Sequence, residues 1–139
     1  MVRRRRLTGQ EQWLRSQSEA AFQAGLLRRA GWLGYRRHHV YDSRLAAVEC
    51  DPGWPDLELL RLPGVRGGLR LIYAELKDEQ GDVSDDQREI LDALMLVAGV
   101  EVYLWRPSDV DEAIRVLEAD GPVESETEWR VRRRTCERA

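Results

Sequence analysis

The sequence predicts an α/β domain in which a mixed β-sheet is flanked by helices, in the order α-β-β-β-α-β-α. Three observations carry that prediction. Apolar residues recur at helical spacing between residues 10 and 30, and two β-rich runs are joined by the turn-forming segment Pro63-Gly64-Val65-Arg66-Gly67-Gly68. Further on, Ser84-Asp85-Asp86-Gln87 has the form of a capping box opening an amphipathic stretch.

Taken in order, Trp13, Ala20, Phe22, Leu26, Leu27 and Ala30 form the apolar stripe of the first helix, with Gly31 as its expected stop. Residues 33–41, rich in aromatic and His side chains, read as a strand. Residues 42–53 have no clear period and end in Asp51-Pro52-Gly53, so they read as a loop. Residues 56–62 and 69–77 are the two strands of a hairpin and should pair antiparallel. The helix opened at Ser84 carries Ile90, Leu91, Leu94, Val97 and Ala98 on one side and is expected to close at Gly99. Residues 100–105 form a short strand ended by Pro107. Ser108-Asp109-Val110-Asp111 then caps a last helix bearing Val110, Ala113, Ile114 and Leu117. No internal repeat is visible.

With 139 residues and 16.1 kDa the chain suits a single core. One domain over residues 10–119 is expected, between a basic arm at 1–9 and a basic tail at 120–139. The apolar share of 42% and charged share of 34% describe a folded domain with a strongly charged surface. Cys50 and Cys136 form neither a disulfide framework nor a paired metal motif, so a reducing cytoplasm is the default. No apolar run approaches the roughly 18 residues of a membrane span, and no signal-peptide stretch follows the arginines at positions 3–6. The net charge of −3 is segregated: residues 1–6 carry +4, residues 130–138 carry five arginines and Glu137, and the span 7–129 is left with −11. An acidic body holds nucleic acid poorly by phosphate neutralisation alone. The basic ends are therefore read either as phosphate contacts or as solvated termini.

The chemistry concentrates in Gly53-Trp54-Pro55-Asp56 and Ala74-Glu75-Leu76-Lys77. Residues i and i+2 of a strand share a face, so Glu75 and Lys77 project together while Leu76 turns to the opposite layer. The hairpin brings Asp56 beside them. Two carboxylates, with the backbone carbonyl of Leu76 as a further donor, make an oxygen-rich site suited to Mg²⁺ or Mn²⁺. Such a site polarises a phosphate and acidifies water, and the Lys77 ammonium would orient the nucleophile or stabilise developing charge, cleaving a phosphodiester.

Gly53-Trp54-Pro55-Asp56, Glu75-Leu76-Lys77, Gly81, Gln87 and the run AGVEVYLWRP at 98–107 together resemble the VRR-NUC nucleases, over a span from about Glu19 to Leu117. That family belongs to the PD-(D/E)xK superfamily. It includes small phage and bacterial proteins and the nuclease module of the Fanconi-anaemia-associated nuclease. The resemblance implies a restriction-endonuclease-like core, with Asp56 and Glu75 as metal ligands, Lys77 as catalytic lysine, Gln87 as the motif glutamine and Glu19 as the helix-borne acid. It also implies a homodimer in a bacterial or phage-infected cell.

Plainer readings stand beside these. Glu19 falls among Phe22, Leu26 and Ala30 on the apolar stripe, where a carboxylate needs a basic partner or a metal. Gln87 is the third helical residue of the Ser84 box and can serve as a cap alone. Glu75 and Lys77 can be an exposed ion pair, although Leu71, Ile72, Tyr73, Ala74 and Leu76 mark a strand covered on both faces. His38 and His39 face opposite ways on a strand and, with no further His in the chain, make no zinc site. Arg36, Arg37 and His38 form a basic edge read as a DNA phosphate contact or as solvated surface. Trp54, Trp105 and Tyr103 are read as packing aromatics without a substrate role.

The expectation is a Mg²⁺- or Mn²⁺-dependent DNA endonuclease, with branched or junction DNA among its candidate substrates. The alternative is a non-catalytic DNA-binding or assembly module retaining the fold, and action on RNA stays open because the chemistry neither requires nor forbids a 2′-OH.

Overall fold

The computed structural model describes residues 8–10, 19–39 and 51–122. Helix α1 (Glu19–Trp32) is followed by strands β1 (Tyr35–His39), β2 (Leu57–Arg61) and β3 (Arg70–Leu76). Helix α2 (Asp85–Met95), strand β4 (Val100–Trp105), a 3₁₀ turn (Pro107–Asp109) and helix α3 (Val110–Glu118) complete the order. The four strands lie in sequence order, β1-β2-β3-β4, antiparallel between β1, β2 and β3 and parallel between β3 and β4. The parallel step requires a crossover, and α2 supplies it. This is the expected α-β-β-β-α-β-α order with a mixed sheet.

The pleat divides the side chains of the sheet into two sets. Leu57 and Leu59 of β2, Ile72, Ala74 and Leu76 of β3, and Tyr103 and Trp105 of β4 pack with Phe22, Leu26 and Ala30 of α1 and Ala113, Val116 and Leu117 of α3. On the other face α2 covers only the β4 side, setting Leu91 and Met95 on Val102 and Leu104. The half of that face over β1 and β2 carries no helix among the described residues. This open half adjoins the chemistry.

Helix ends differ from the sequence reading. Helix α1 passes through Gly31 and ends at Trp32, with Gly34 taking the left-handed φ of +88° in the turn. Gly31 has another use, because a Cβ there would press on the Arg37 guanidinium at 3.1 Å. Helix α2 stops at Met95 rather than Gly99: Leu96 and Val97 donate to Ala93 and Leu94, tightening the last turn, and both are exposed, at 87% and 49%. Strand β1 starts at Tyr35, since Leu33 lies in the turn. Asp109 does not cap α3 through its side chain. Its Oδ2 accepts the Arg106 backbone N–H at 2.9 Å and closes the 3₁₀ turn instead. Trp13 and residues 40–50 lie outside the described residues.

The sequence reading also missed how α3 is fixed to the sheet. Arg70, buried, makes a two-pronged pair with Glu101 (Nε to Oε2 2.6 Å, Nη2 to Oε1 2.7 Å) and donates to the carbonyls of Val116 and Ala119. Arg61 donates to the carbonyls of Ala119 and Asp120. These carbonyls lie in and just past the last turn of α3, where cations also meet the negative end of the dipole. Tyr103 adds its hydroxyl to Glu101 Oε1 at 2.6 Å. Burial pulls the Arg70 guanidinium toward neutrality, but the hydrogen bonds and charge of Glu101 outweigh it and hold the pKa above the ordinary arginine value.

Candidate active site

The antiparallel register pairs Leu57 with Ala74, and one further step sets Asp56 opposite Glu75. A hydrogen bond reinforces that step, because Asp56 Oδ2 accepts the backbone N–H of Leu76 at 2.8 Å. The carboxylate thus takes the place of the next ladder bond and anchors the Gly53-Trp54-Pro55 loop to the end of β3. The N–H and C=O of one strand residue leave by the same edge, so the Leu76 carbonyl faces the edge where Asp56 lies.

Glu75 is only 1% exposed, an unusual place for a carboxylate. Its Oε1 accepts the side-chain amide of Gln87 at 2.9 Å and lies 3.6 Å from Lys77 Nζ. Glu75 and Lys77 share a face, as the alternation requires, while Leu76 packs in the opposite core. Gln87 closes the Ser84 box and also reaches Glu75. Its Oε1 accepts the Ser84 N–H at 2.9 Å, its own N–H donates to Ser84 Oγ at 3.2 Å, and its Nε2 reaches Glu75. Because the cap consumes the amide oxygen, the nitrogen must be the end that faces the carboxylate.

Two loops frame this group. Gly53 has φ +99°, and a Cβ there would overlap the Asp86 carbonyl, so the loop before Asp56 rests against the first turn of α2 beside Gln87. After Lys77 the chain is held by Arg106, whose Nη1 donates to the carbonyls of Asp78 (2.8 Å) and Gly81 (2.6 Å). Gly81 packs closely there, since a Cβ would come within 3.1 Å of Asp78 Oδ1 and 3.4 Å of Lys77 Cδ.

The basic edge is split. His38 pairs with Glu58 and Glu58 with Tyr73, and Arg36 pairs with Leu60 and Leu60 with Leu71, so Arg36 and His38 lie on the face of Glu75 and Lys77. Arg37 is on the other face, where its Nη1 donates to the Leu27 carbonyl at 3.2 Å. His38 Nδ1 lies 3.7 Å from Glu58 Oε1. His39, set aside with His38 in the sequence, hydrogen-bonds with Gln23 of α1. Burial lowers its pKa, opposed by the charge of Asp56. Glu19 opens α1, but its side chain lies outside the described residues, as do residues 1–7 and 123–139 with the basic clusters.

Trp105 and Tyr103 are fully buried and stack at 5.1 Å, as expected for packing aromatics. Trp54 keeps 46% of its surface exposed and tilts against Tyr73, with ring centroids 6.4 Å apart. Burial, followed by a hydrogen bond to Glu58, pushes the Tyr73 hydroxyl up to about 12.

Among the described residues no three His, Cys, Asp or Glu side chains group closely enough to hold a metal by themselves. The Asp56 and Glu75 carboxylates and the Leu76 carbonyl are all oxygen donors. That chemistry fits a hard divalent cation such as Mg²⁺ or Mn²⁺, and not zinc, copper or an iron–sulfur cluster.

A solved VRR_NUC domain protein superposes on the chain with a TM-score of 0.51, covering 80% of this chain and 98% of that one at 16% sequence identity. The two share a fold. Four strands in mixed order with three flanking helices among the described residues thus form the α/β architecture of that solved domain. No family model and no curated protein matches the sequence. No helix among the described residues is long and apolar enough to cross a membrane.

Proposed function

We propose that the chain is a divalent-metal-dependent DNA endonuclease of the VRR-NUC type, with Asp56, Glu75 and Lys77 as its catalytic set and Gln87 as the residue that orients Glu75. The observation that carries this reading is the Glu75 carboxylate, buried yet held between an ammonium and an amide, beside an aspartate tied to the backbone between Glu75 and Lys77. Glu101 is buried as well, but there one guanidinium meets both carboxylate oxygens, whereas Glu75 is shared between Lys77 and Gln87 and stands opposite a second carboxylate, Asp56. The shared fold agrees with this reading.

Asp56, Glu75 and the Leu76 carbonyl would hold the cation, with Glu19 as a further ligand from α1. When bound, the cation supplies Lewis-acid polarisation of a phosphate and acidification of water. Lys77 has a distinct role. Its ammonium, anchored by Glu75, stands on the open face where a phosphodiester would lie, and there it orients the attacking water and offsets charge developing on the phosphate. Gln87 keeps Glu75 in one rotamer. Arg36 and His38, on the same face, would contact phosphates, whereas Arg37 is engaged with α1.

The test is to incubate purified protein with supercoiled, linear, branched and single-stranded DNA and with RNA, adding Mg²⁺, Mn²⁺ or EDTA. Cleavage restored by Mn²⁺ or Mg²⁺ and abolished by EDTA is expected. Specific DNA binding without cleavage under any metal would favour the non-catalytic module instead.

A further inference from the structure

We propose that Trp54 is a stacking platform for an unpaired nucleobase, so that the substrate is DNA with an unpaired nucleotide beside the scissile phosphate; this rests on the nuclease reading above. A large aromatic with 46% of its surface exposed stands two residues before Asp56, and the ring it touches, Tyr73, stands two residues before Glu75. Tyr73 thus shares the sheet face of Glu75, and Trp54 leans on it from the loop that ends at Asp56. The other core-layer aromatics, Trp105 and Tyr103, have no exposed surface to offer.

Trp54 is held in place although it is exposed. On its N-terminal side Gly53 is packed against the Asp86 carbonyl, and on its C-terminal side Pro55 is buried and Asp56 is bonded to the Leu76 N–H. Its ring leans on Tyr73, whose backbone is fixed inside the sheet between Glu58 of β2 and Val102 of β4. An aromatic fixed in this way loses little rotamer freedom when a base stacks on it.

The charge pattern explains why such a contact is needed. The span 7–129 carries −11, and the face around the site adds Asp56, Glu58 and Glu75 to Arg36, His38 and Lys77. Phosphate neutralisation is a weak source of affinity on such a surface, whereas stacking is independent of charge and of base identity. In a duplex the bases already stack on one another and offer Trp54 no face. A base in a gap, flap, bulge or single strand does.

The test measures binding of the full chain to a labelled oligothymidylate and to a blunt duplex by fluorescence anisotropy in EDTA, so that nothing is cut. Trp54→Ala and Trp54→Leu should weaken single-strand binding about tenfold, as for loss of one base–aromatic stack, and duplex binding less than about twofold. Trp54→Phe should retain most of the affinity, and Trp32→Ala, an exposed tryptophan on the far layer, all of it. Plots of log K against log salt should run parallel for wild type and Trp54→Leu, because no phosphate contact is lost. The leucine variant keeps an apolar contact on Tyr73, so a fold defect in the alanine variant leaves the test intact. Equal weakening on both substrates, unchanged single-strand affinity, or a changed salt slope in a protein that still cleaves DNA would overturn the stacking role alone. A wild type that neither binds nor cleaves DNA would overturn the nuclease reading, and the stacking role with it.

Discussion

The amide of Gln87 donates to Glu75 Oε1 at 2.9 Å while its oxygen accepts the backbone N–H of Ser84, so the start of α2 and the end of β3 are joined through one side chain. Capping and site assembly are thereby coupled. Variants can separate them.

Ser84→Ala removes the hydroxyl that accepts the Gln87 N–H and should cost about 1 kcal/mol of stability. It leaves the amide donor to Glu75 in place. Gln87→Ala should cost a similar amount of stability but also lower the cleavage rate by about tenfold or more, because a buried carboxylate loses a hydrogen bond. Thermal melts paired with single-turnover rates distinguish the two. If both variants cut at the wild-type rate, Gln87 is a cap and nothing else.

The buried pair of Arg70 and Glu101 is expected to dominate stability. Glu101→Leu strands a guanidinium in the core and should cost about 3–5 kcal/mol, a large part of a domain's total. Arg70→Met combined with Glu101→Leu should recover part of that loss. Recovery is incomplete because Arg70 also donates to the Val116 and Ala119 carbonyls at the end of α3. Denaturant midpoints for the single and double variants measure the coupling, and strict additivity would show that the pair does not interact.

The reach of the sequence can be judged from particular residues. A period of two placed Glu75 and Lys77 on one face, and the Ser84 box marked the start of α2, because both signals are local and are enforced by backbone geometry. The end of α1 was misjudged because a glycine signals a stop only where its φ is positive in the folded chain, and that of α2 because its last turn tightens at Leu96 and Val97, ahead of the left-handed Gly99. Gly34 meets that condition, whereas Gly31 serves the packing of Arg37. Arg61, Arg70 and Glu101 gave no signal at all. A charge can be buried only beside partners that the fold supplies, and Arg70 lies 31 residues from Glu101. Arg36 and Arg37 are separated by the same alternation that separates His38 from His39, and grouping them as one basic edge overlooked it.

Asp109 gives a pH-dependent test. Burial raises its carboxyl above the ordinary value, the N–H of Arg106 opposes the rise, and Glu112 and Glu79 add to it. The folded state therefore binds more proton than the unfolded state between the ordinary and the raised value. Stability falls as pH rises through that window and stays lowered above it. Asp109→Asn keeps an acceptor for Arg106 and removes the charge. It should melt higher than wild type at pH 7 and no higher at about pH 3, where the wild-type carboxyl is mostly protonated in the folded and the unfolded chain alike. An identical melting difference at both pH values would show that the buried charge is not the cause.

Gly53→Ala should lower both stability and cleavage. The left-handed φ alone costs roughly 1 kcal/mol or more for a residue with a Cβ, and the added carbon pushes on the first turn of α2, which carries Gln87. Gly121→Ala, whose Cβ would meet nothing within 4 Å, is the control and should change neither.

The most direct measurement is the Mn²⁺ dependence of single-turnover cleavage at saturating DNA, compared among wild type, Lys77→Ala and Asp56→Asn. Lys77→Ala should lower the plateau about a hundredfold or more without moving the half-saturating Mn²⁺ concentration, as for loss of one preorganised donor. Asp56→Asn should shift that concentration upward, because a ligand oxygen loses its charge. A wild type that leaves DNA intact at every Mn²⁺ concentration, or three curves that overlay, would contradict a metal-dependent site at Asp56, Glu75 and Lys77.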